Sequence, residues 1–561
     1  MYAQDIHPWA VAGLASALDG VDADVLEKCA ESALEKLEPI RTRLYRTPCP
    51  AHGKKSELIH IFWVRTCTCP TCGRIIYLYP YTLLTLASRK DGEREGYFGC
   101  RSCGKIGAYA VKSGGGHRCH SCGASLPAPS ESLLADRMIT CVDAACRKTF
   151  RIFHGEASIW KSVLVQRSCQ RKGERFVHFD IPTRRESSPH SRPRKLPAAL
   201  TRRIPEGIET SILRRAGFNL WSDLYPARQL TTMLAAAAAV NALDTSDDVR
   251  ARLRLAVCGA AEMAGFLSRW DRYYPKAFEA MANHRYAALG FSCETNLLAE
   301  LGRGTIRRRF ASSVAEARWA RRELKISSRA RVQSAASRRQ RVTAGALLAR
   351  GSSERQLAAD RSLDLVLTDP PYFDDVQYAE LASLFLAWAR SVKLVPASVS
   401  LDLHSEAVVN AARGVGVREY QAMLRRIFTE TRRTLKLDGR LVISFHNTDL
   451  RAWWALARAL HLSGFAVVAL AVARTENSDD HSKRNLRSFT KDLVLECRSR
   501  PVSSRLSIFG CADDSQDREL SAAGRAVADG GGLDLPAFRR LFLLGRGTLR
   551  RSRIEVTGDD S

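Results

Sequence analysis

The chain has 561 residues, of which 86 are Lys or Arg and 59 are Asp or Glu, so its formal net charge is +27. This length allows roughly two to four domains, and the basic excess favours a polyanionic partner such as nucleic acid, although an Arg-rich genome gives the same composition. No apolar run approaches the roughly 18 residues that cross a bilayer, and residues 1–10 lack the features of a signal peptide. We therefore expect a cytoplasmic protein without a membrane partner, in which the 16 cysteines are metal ligands rather than disulfides.

Composition and predicted secondary structure divide the chain into six segments. The second segment holds most of the cysteines, and the third is a linker rich in Ser, Pro and charged residues. Helices are predicted for the fourth segment and for the tail, while strands alternate with helices in the fifth. The segments are residues 1–44, 45–183, 184–206, 207–341, 342–500 and 501–561.

Cysteine knuckles of the form Cys-x-x-Cys-Gly occur three times in the second segment. A knuckle places two thiolates on one side of a tight turn, and two knuckles close a tetrahedral site around one zinc ion. Chain order predicts that the first two knuckles share one ion and that the third faces the last two cysteines, with Cys67 as a spare for Cys69. The predicted ligands are Cys69, Cys72, Cys100 and Cys103 in one site, and Cys119, Cys122, Cys141 and Cys146 in the other.

Four thiolates fill the coordination sphere of a zinc ion, so the two predicted ions are structural rather than catalytic. They stabilise a segment that is too small to hold a core alone. The alternative is a set of buried or redox-active cysteines without metal. The sequence leaves open whether this zinc-ribbon region contacts nucleic acid or only braces the rest of the chain.

The middle of the chain is predicted to be mostly helical, with helices at about 226–243 and 248–270. Residues 303–341 carry thirteen Lys or Arg and two acidic residues, with Phe310 and Trp319 among them. One interpretation is a solvated helix face with a loose continuation. The other is a segment that contacts phosphates and becomes ordered on DNA.

From residue 363 onward, short apolar runs alternate with helical spacing. The first run, Leu-Asp-Leu-Val-Leu-Thr, is typical of a buried parallel strand. This alternation predicts a parallel sheet with right-handed crossovers, so the predicted fold class is α/β. The predicted helices are 376–393, 420–437, ending at Asp438-Gly439, and 450–462, and the predicted strands are 363–368, 440–445, 465–473 and 490–497.

The motif Thr368-Asp369-Pro370-Pro371-Tyr372 follows the first of these strands, where open α/β sheets bind ligands. An exocyclic amine on an aromatic ring is a poor nucleophile, because its lone pair is delocalised into the ring. The Asp369 carboxylate and the Pro370 carbonyl could accept both amine hydrogens and free that lone pair for attack on a sulfonium methyl group. Tyr372 can stack on a base rotated out of the duplex. The alternative is a purely structural Pro-Pro turn.

Several stretches together resemble the zinc-ribbon-containing, adenine-specific DNA methylases, and the resemblance covers nearly the whole chain. The stretches are 368–388, TDPPYFDDVQYAELASLFLAW, 218–230, FNLWSDLYPARQL, 439–447, GRLVISFHN, and the cysteine knuckles. The resemblance implies a class I, Rossmann-like methyltransferase sheet with inserted zinc ribbons and a helical target-recognition region. It implies S-adenosyl-L-methionine and two structural zinc ions as cofactors, and DNA as partner. The implied catalytic residues are Asp369, Pro370, Pro371 and Tyr372.

On this resemblance, residues 1–44 contain the second strand of the methyltransferase sheet and its helix. Asp5, at the end of that strand, would hold the cofactor ribose hydroxyls, and Asp369 also borders the cofactor. The Gly-rich loop F-x-G-x-G, which follows the first strand in such enzymes, is not found in the sequence. We expect a start upstream of Met1 or a second polypeptide that supplies this loop, in preference to an inactive remnant, because an open sheet edge is a liability.

The resemblance predicts methylation of adenine N6 in DNA. Cytosine-N4 methylation uses the same acceptor geometry, usually with Ser in place of Asp369, and methylation of RNA or of a protein glutamine typically uses Asn-Pro-Pro-Tyr. The non-enzymatic alternative is a catalytically inactive, zinc-dependent DNA-binding subunit. The family also suggests a place in restriction or antiphage defence, with self DNA marked by methylation.

Overall fold

In a computed structural model, the protein is a mixed α/β molecule with several small sheets and clusters of cysteines. The chain forms two compact units: Met1–Val11, Arg329–Ala379 and Ser400–Ser561 make the first, and Ala12–Ser328 and Glu380–Val399 make the second. The structure describes residues 1–88, 95–111, 116–134, 138–152, 159–171, 174–187, 191–281, 284–287, 290–324, 331–334, 339–340, 345–474, 491–501, 506–509 and 515–550. Parts of the predicted linker, of the basic segment at 303–341 and of the predicted tail lie outside these residues.

The elements are numbered in chain order. The helices are α1 (Pro8–Ala17), α2 (Ala23–Tyr45), α3 (Arg184–Ser187), α4 (Thr210–Arg215), α5 (Ala227–Asn241), α6 (Asp247–Gly259), α7 (Ile306–Trp319), α8 (Tyr378–Ser391), α9 (Val417–Thr434), α10 (Leu450–Leu462), α11 (Ser515–Asp529) and α12 (Leu535–Arg550). The strands are β1 (Tyr2–Asp5), β2 (Arg46–Pro48), β3 (Lys55–Thr68), β4 (Ile75–Tyr77), β5 (Leu83–Leu86), β6 (Glu95–Gly99), β7 (Ile106–Ala110), β8 (His117–Arg118), β9 (Ser125–Leu126), β10 (Met138–Thr140), β11 (Thr149–Arg151), β12 (Ile159–Arg171), β13 (Glu174–Asp180), β14 (Arg269–Asp271), β15 (Lys276–Phe278), β16 (Phe291–Thr295), β17 (Arg331–Ser334), β18 (Leu347–Arg350), β19 (Leu363–Thr368), β20 (Leu435–Phe445), β21 (Phe465–Arg474), β22 (Lys491–Ser499) and β23 (Ser507–Phe509).

Two sheets lie in the first unit. In the smaller sheet, β18 lies between β1 and β17 and is parallel to both. The larger sheet has the order β19-β20-β22-β21-β23. Its strands β19 and β20 are parallel, β22 is antiparallel to both of its neighbours, and β23 is parallel to β21. The carboxyl ends of β19 and β20 therefore lie at the same edge of the larger sheet.

An apolar core joins the larger sheet to helices α9, α10 and α11. Tyr420, Leu424 and Phe428 recur at helical spacing on α9 and are buried. They belong to the same core as Trp453 and Leu456 of α10. Burial of side chains of this size contributes about 1.5–3 kcal/mol each. This packing holds the carboxyl edge of the sheet in place.

Strand β19 differs from the sequence prediction, which expected it to be buried. Leu365 and Leu367 are 49% and 69% exposed. Within the described part of the chain, β19 is the terminal strand of its sheet and pairs only with β20. This apolar run is typical of a strand that is covered on both faces. Here it lies at an open edge of the sheet, where an apolar strand can pair with another chain.

An antiparallel sheet of order β13-β12-β3-β16 forms the centre of the second unit, and β2 and β4 also pair with β3. Phe62, Val64 and Leu164 form part of its core. Arg167 of β12 is fully buried, and its guanidinium lies 3.1 Å from the carboxylate of Glu186. Breaking such a pair would leave a buried charge without compensation.

Side chains of α8 that belong to the second unit make buried hydrogen bonds within that unit. The buried Glu380 carboxylate accepts backbone N–H bonds from Glu209 and Thr210 at 2.7 and 3.1 Å, at the start of α4. The indole N–H of Trp388 donates to the Tyr225 hydroxyl at 2.8 Å. Two residues of the stretch that resembles the methylases therefore stabilise the fold.

Most of the predicted helices are confirmed, with differences at their ends. Helix α10 has the predicted bounds, and α5 is two residues shorter at its end than predicted. The helix predicted at 248–270 is too long, because Gly265 adopts a φ of +90° and turns the chain after α6. The predicted stop at Asp438-Gly439 is also wrong, because β20 already begins at Leu435 and contains both residues.

Candidate active site and metal centres

The loop of residues 369–372, here called the DPPY loop, directly follows β19. The parallel neighbour β20 ends at Phe445 and leads into His446 and Asn447. Because the two strands end at the same edge, side chains from β20 and from the residues after it lie beside the DPPY loop. This edge is where open α/β sheets bind their ligands.

The carboxylate of Asp369 is exposed and accepts two side-chain hydrogen bonds on Oδ1. Ser444 Oγ donates at 2.8 Å, and the hydroxyl of Tyr372 donates the second bond. Hydrogen bonds to an ionised carboxylate are stronger than neutral ones, so the two donors orient this group. The sequence analysis missed Ser444, whose only signal is its position near the end of the neighbouring strand.

The Tyr372 ring packs against Phe445, the last residue of β20, and against His446, which follows it. Its centroid lies 4.4 Å from that of His446 and 5.4 Å from that of Phe445. Partial burial raises the pKa of Tyr372, and its hydrogen bond to Asp369 raises it further. The phenol therefore stays protonated at neutral pH and acts as a donor.

The backbone carbonyls of the DPPY loop differ in whether they accept hydrogen bonds. Tyr420 donates its hydroxyl to the Pro371 carbonyl at 2.8 Å, and Asn447 donates its side-chain N–H to the Tyr372 carbonyl at 3.1 Å. Among the described residues, none donates to the carbonyl of Pro370, a residue that is buried as a whole. The second half of the loop is therefore held by hydrogen bonds, while the carbonyl of Pro370 keeps its capacity to accept.

Two further residues of the resembling stretch flank the loop. Tyr378 is 37% exposed, but partial desolvation raises its pKa to about 12, and the negative charge of Asp369 adds to this shift. Partial desolvation also raises the pKa of Asp374, which is exposed. The phenol of Tyr378 is thus another neutral donor near Asp369.

Asp5 lies at the end of β1 and accepts the backbone N–H of His7 on Oδ1 at 2.7 Å. His7 Nε2 lies 3.8 Å from Oε1 of Glu406, and the same oxygen accepts the N–H of Ala379 at 2.7 Å in the first turn of α8. Burial lowers the pKa of His7. Glu406 therefore connects the end of β1 to the start of the helix that follows the DPPY loop.

Eight cysteines form two groups of four, and within each group the sulfur atoms lie within 4.8 Å of one another. The sulfur–sulfur distances across the groups are 3.6, 3.7 and 3.8 Å. Tetrahedral zinc–sulfur bonds of about 2.3 Å separate the sulfur atoms by about 3.8 Å, so both groups fit structural zinc. The groups are Cys69, Cys72, Cys141 and Cys146, and Cys100, Cys103, Cys119 and Cys122.

This grouping corrects the predicted pairing of the knuckles. Cys69 lies 3.8 Å from Cys146, and Cys100 lies 3.6 Å from Cys122, so the first two knuckles do not share a site. The knuckles of the β6–β7 and β8–β9 hairpins are close in sequence and face each other within the longer chain segment between β4 and β10. Cys67 lies in β3, outside both groups.

The three knuckles have one backbone geometry. In the first, the N–H of Cys69 donates to the carbonyl of Arg74, and the N–H of Gly73 donates back to the carbonyl of Cys69, both at 2.9 Å. The glycines Gly73, Gly104 and Gly123 have φ angles of +73°, +76° and +73°. Glycine adopts this left-handed conformation without a Cβ clash, which is why the Cys-x-x-Cys-Gly spacing identifies the turn.

Residues 303–324 of the basic segment form α7 and a following π-helical turn, and residues 331–334 form β17. Phe310 is buried in the core, whereas Trp319 is 51% exposed. Arg318 pairs with Glu27 of α2 at 2.6 Å. This part is thus a helix whose basic face is partly neutralised within the protein, and its contact with phosphates stays a prediction.

No family model and no curated protein matches this chain. The resemblance to the zinc-ribbon methylases therefore depends on the motifs themselves. Within the described residues, no helix is both long enough and apolar enough to cross a membrane.

Proposed function

We propose that the protein is an S-adenosyl-L-methionine-dependent DNA methyltransferase that modifies the exocyclic N6 amine of adenine. The observation that carries the proposal is a pair of adjacent acceptors in the DPPY loop. The exposed carboxylate of Asp369 is oriented by Ser444, and no described residue donates to the carbonyl of Pro370. Two acceptors next to each other suit the two hydrogens of an amine group.

The mechanism follows from those acceptors. A base rotated out of the duplex donates one N–H to Asp369 and one to Pro370, which draws the nitrogen towards a tetrahedral geometry and frees its lone pair. When bound, S-adenosyl-L-methionine would supply an electrophilic methyl group on a sulfonium centre, which becomes a thioether once the methyl group is transferred. Asp369 holds the departing amine proton until it passes to water. Tyr372, whose pKa is raised, remains a donor to Asp369 and offers its ring to the base.

The strand order of the first unit supports a class I methyltransferase sheet. Parallel strands β19 and β20 end at the DPPY loop, and β1 is parallel to β18 in the same unit. Asp5 at the end of β1 is a partly exposed carboxylate, and only Oδ1 accepts the N–H of His7. This chemistry fits ribose hydroxyls, as an acidic residue after a strand does in nucleotide-binding folds.

The open edge of β19 supports the proposal of a protein partner. Leu365 and Leu367 are exposed on one face of this strand, although the run is typical of a strand covered on both faces, and within the described residues β19 pairs only with β20. We propose that a second polypeptide adds a parallel strand here and supplies the Gly-rich cofactor loop. Addition of a strand to an exposed edge gains main-chain hydrogen bonds as well as apolar burial.

The remaining parts of the proposal concern metal ions, partners and context. The two groups of four cysteines would hold structural zinc, and the net charge of +27 favours DNA as the polyanion. A role in restriction or antiphage defence and a cytoplasmic location stay predictions.

Methyl transfer to unmethylated DNA tests the proposal. The protein is assayed alone and after co-expression with the polypeptide encoded by the preceding reading frame, with S-adenosyl-L-methionine labelled on its methyl group. We expect N6-methyladenine in the nucleoside digest of the co-expressed form. N4-methylcytosine would instead support the cytosine alternative. Absence of methylation, together with absence of cofactor binding by calorimetry in both forms, would favour an inactive, zinc-dependent DNA-binding subunit.

A further inference from the structure

A third cluster of metal-binding side chains lies in the second unit, outside the two groups of four cysteines. The ligand atoms of Cys49, Cys169 and His178 all lie within 4.8 Å of one another. Cys49 Sγ is 3.7 Å from His178 Nε2. Cys49 directly follows β2, while Cys169 and His178 lie on the paired strands β12 and β13. Residues from distant parts of the sequence therefore converge on one point of the sheet.

The turn that begins at Cys49 has the backbone geometry of the zinc knuckles. The N–H of Cys49 donates to the carbonyl of Lys54, and the N–H of Gly53 donates back to the carbonyl of Cys49, both at 2.8 Å. Gly53 has a φ of +69°, close to the +73° to +76° of the knuckle glycines. The sequence Cys-Pro-Ala-His-Gly is thus a knuckle in which His52 takes the place of the second cysteine.

His52 is consequently the candidate for a fourth ligand. Its Nε2 and the Nδ1 of His178 are buried and have no hydrogen-bond partner in the described part of the chain. Both rings pack against Phe176, with centroid distances of 6.1 Å for His52 and 5.2 Å for His178. His52 Nδ1 accepts a 3.2 Å bond from the N–H of Lys54, and we expect metal binding to replace this bond as the ring turns towards the cluster.

We propose that Cys49, His52, Cys169 and His178 bind a third structural zinc ion. Two thiolates and two imidazoles are a donor set that zinc takes in closed tetrahedral sites, and four protein ligands leave no position for a substrate. The ion would join the turn between β2 and β3 to the β12–β13 hairpin. This inference is independent of the proposed methyltransferase function.

Zinc content and X-ray absorption at the zinc edge test the site on the unaltered, purified protein. We expect three zinc ions per chain and nitrogen neighbours at about 2.0–2.1 Å in addition to sulfur neighbours at about 2.3 Å. Two sites made only of cysteines give no zinc–nitrogen signal. Two zinc ions per chain, or an absorption spectrum with sulfur neighbours alone, would overturn the proposal.

Substitutions then assign the ligands. We expect Cys169→Ser and His178→Ala each to lower the zinc content by one ion per chain. Cys293→Ser is the matched control, because Cys293 is a buried cysteine of the same sheet that belongs to none of the metal-binding groups among the described residues, and it should keep three ions.

The substitution His52→Ala distinguishes a site with four ligands from a site in which only Cys49, Cys169 and His178 bind the ion. We expect it to lose one zinc ion together with the zinc–nitrogen signal. An unchanged zinc content and an unchanged nitrogen signal in this variant would overturn the role of His52 and with it the four-ligand site. If Cys169→Ser does not fold, the absorption spectrum of the unaltered protein still decides the proposal.

Discussion

The zinc knuckles and the DPPY loop are both short motifs at strand ends, but different contacts hold them. In the first knuckle, hydrogen bonds between Cys69 and Arg74 and between Gly73 and Cys69 close the turn locally. The DPPY loop has local backbone bonds to the carbonyls of Pro371 and Tyr372 as well, but Tyr420 and Asn447, which are 49 and 75 residues away, donate to the same two carbonyls. A knuckle can thus form from its own backbone, whereas the loop combines local turns with side-chain bonds that exist only in the folded unit.

The largest effect is expected when one zinc knuckle is removed. We expect the double substitution Cys69→Ser and Cys72→Ser to release one zinc ion, because structural zinc in small sites contributes on the order of 10 kcal/mol of apparent binding free energy at neutral pH. Alkylation mapped by mass spectrometry should then modify Cys141 and Cys146, while the group that contains Cys100 stays protected. Reactivity at Cys100 and Cys103 instead would restore the pairing predicted from chain order.

The strongest test of the loop removes its carboxylate. We expect Asp369→Ala to lower the rate of methyl transfer by a factor on the order of 10³, because one of the two amine acceptors is lost. Zinc content and melting temperature should stay near those of the unaltered protein, since the side chain is exposed. The matched control is Asp364→Asn, an exposed carboxylate on β19 that pairs with Lys436, and it should keep the activity. Unfolding of the Asp369 variant would assign the motif a structural role.

A smaller effect is expected where a distant residue holds the loop. Tyr420→Phe keeps the volume of a fully buried side chain but removes the hydroxyl that donates to the Pro371 carbonyl. We expect a loss of about 0.5–1.5 kcal/mol of unfolding free energy, measured by denaturant titration, because one hydrogen bond is removed while the N–H of Phe373 still donates to the Pro371 carbonyl. The turnover rate should fall more than the DNA affinity. Equal activity in this variant would mean that the loop holds its geometry locally, as the knuckles do.

The smallest effect on the chain itself is expected at the open edge of β19. Leu367→Lys should change the unfolding free energy by no more than about 0.5 kcal/mol, because the side chain is 69% exposed. Leu437→Lys, on the neighbouring strand and 78% exposed, is the matched control. Only the Leu367 variant should weaken co-purification with a strand-donating polypeptide and cofactor binding by the pair. Equal behaviour of the two variants would remove β19 as the docking edge.

The sequence by itself identified the features that depend on a few neighbouring residues. It located the eight cysteines of the two metal-binding groups, the DPPY motif at the end of β19 and the bounds of α10. Knuckle turns and helices have characteristic spacings because their hydrogen bonds join residues only a few positions apart. These elements could therefore be predicted before any fold was known.

Only the tertiary structure decided which of these features meet. In the folded protein, the knuckles pair differently from the prediction, and Leu367 is exposed rather than buried. Ser444 lies beside Asp369, and Cys49 lies beside His178. Each of these relations links residues that are far apart in sequence, so no local spacing encodes it. They follow from the pairing of strands and from the burial of a shared core, which act only once the whole unit has folded.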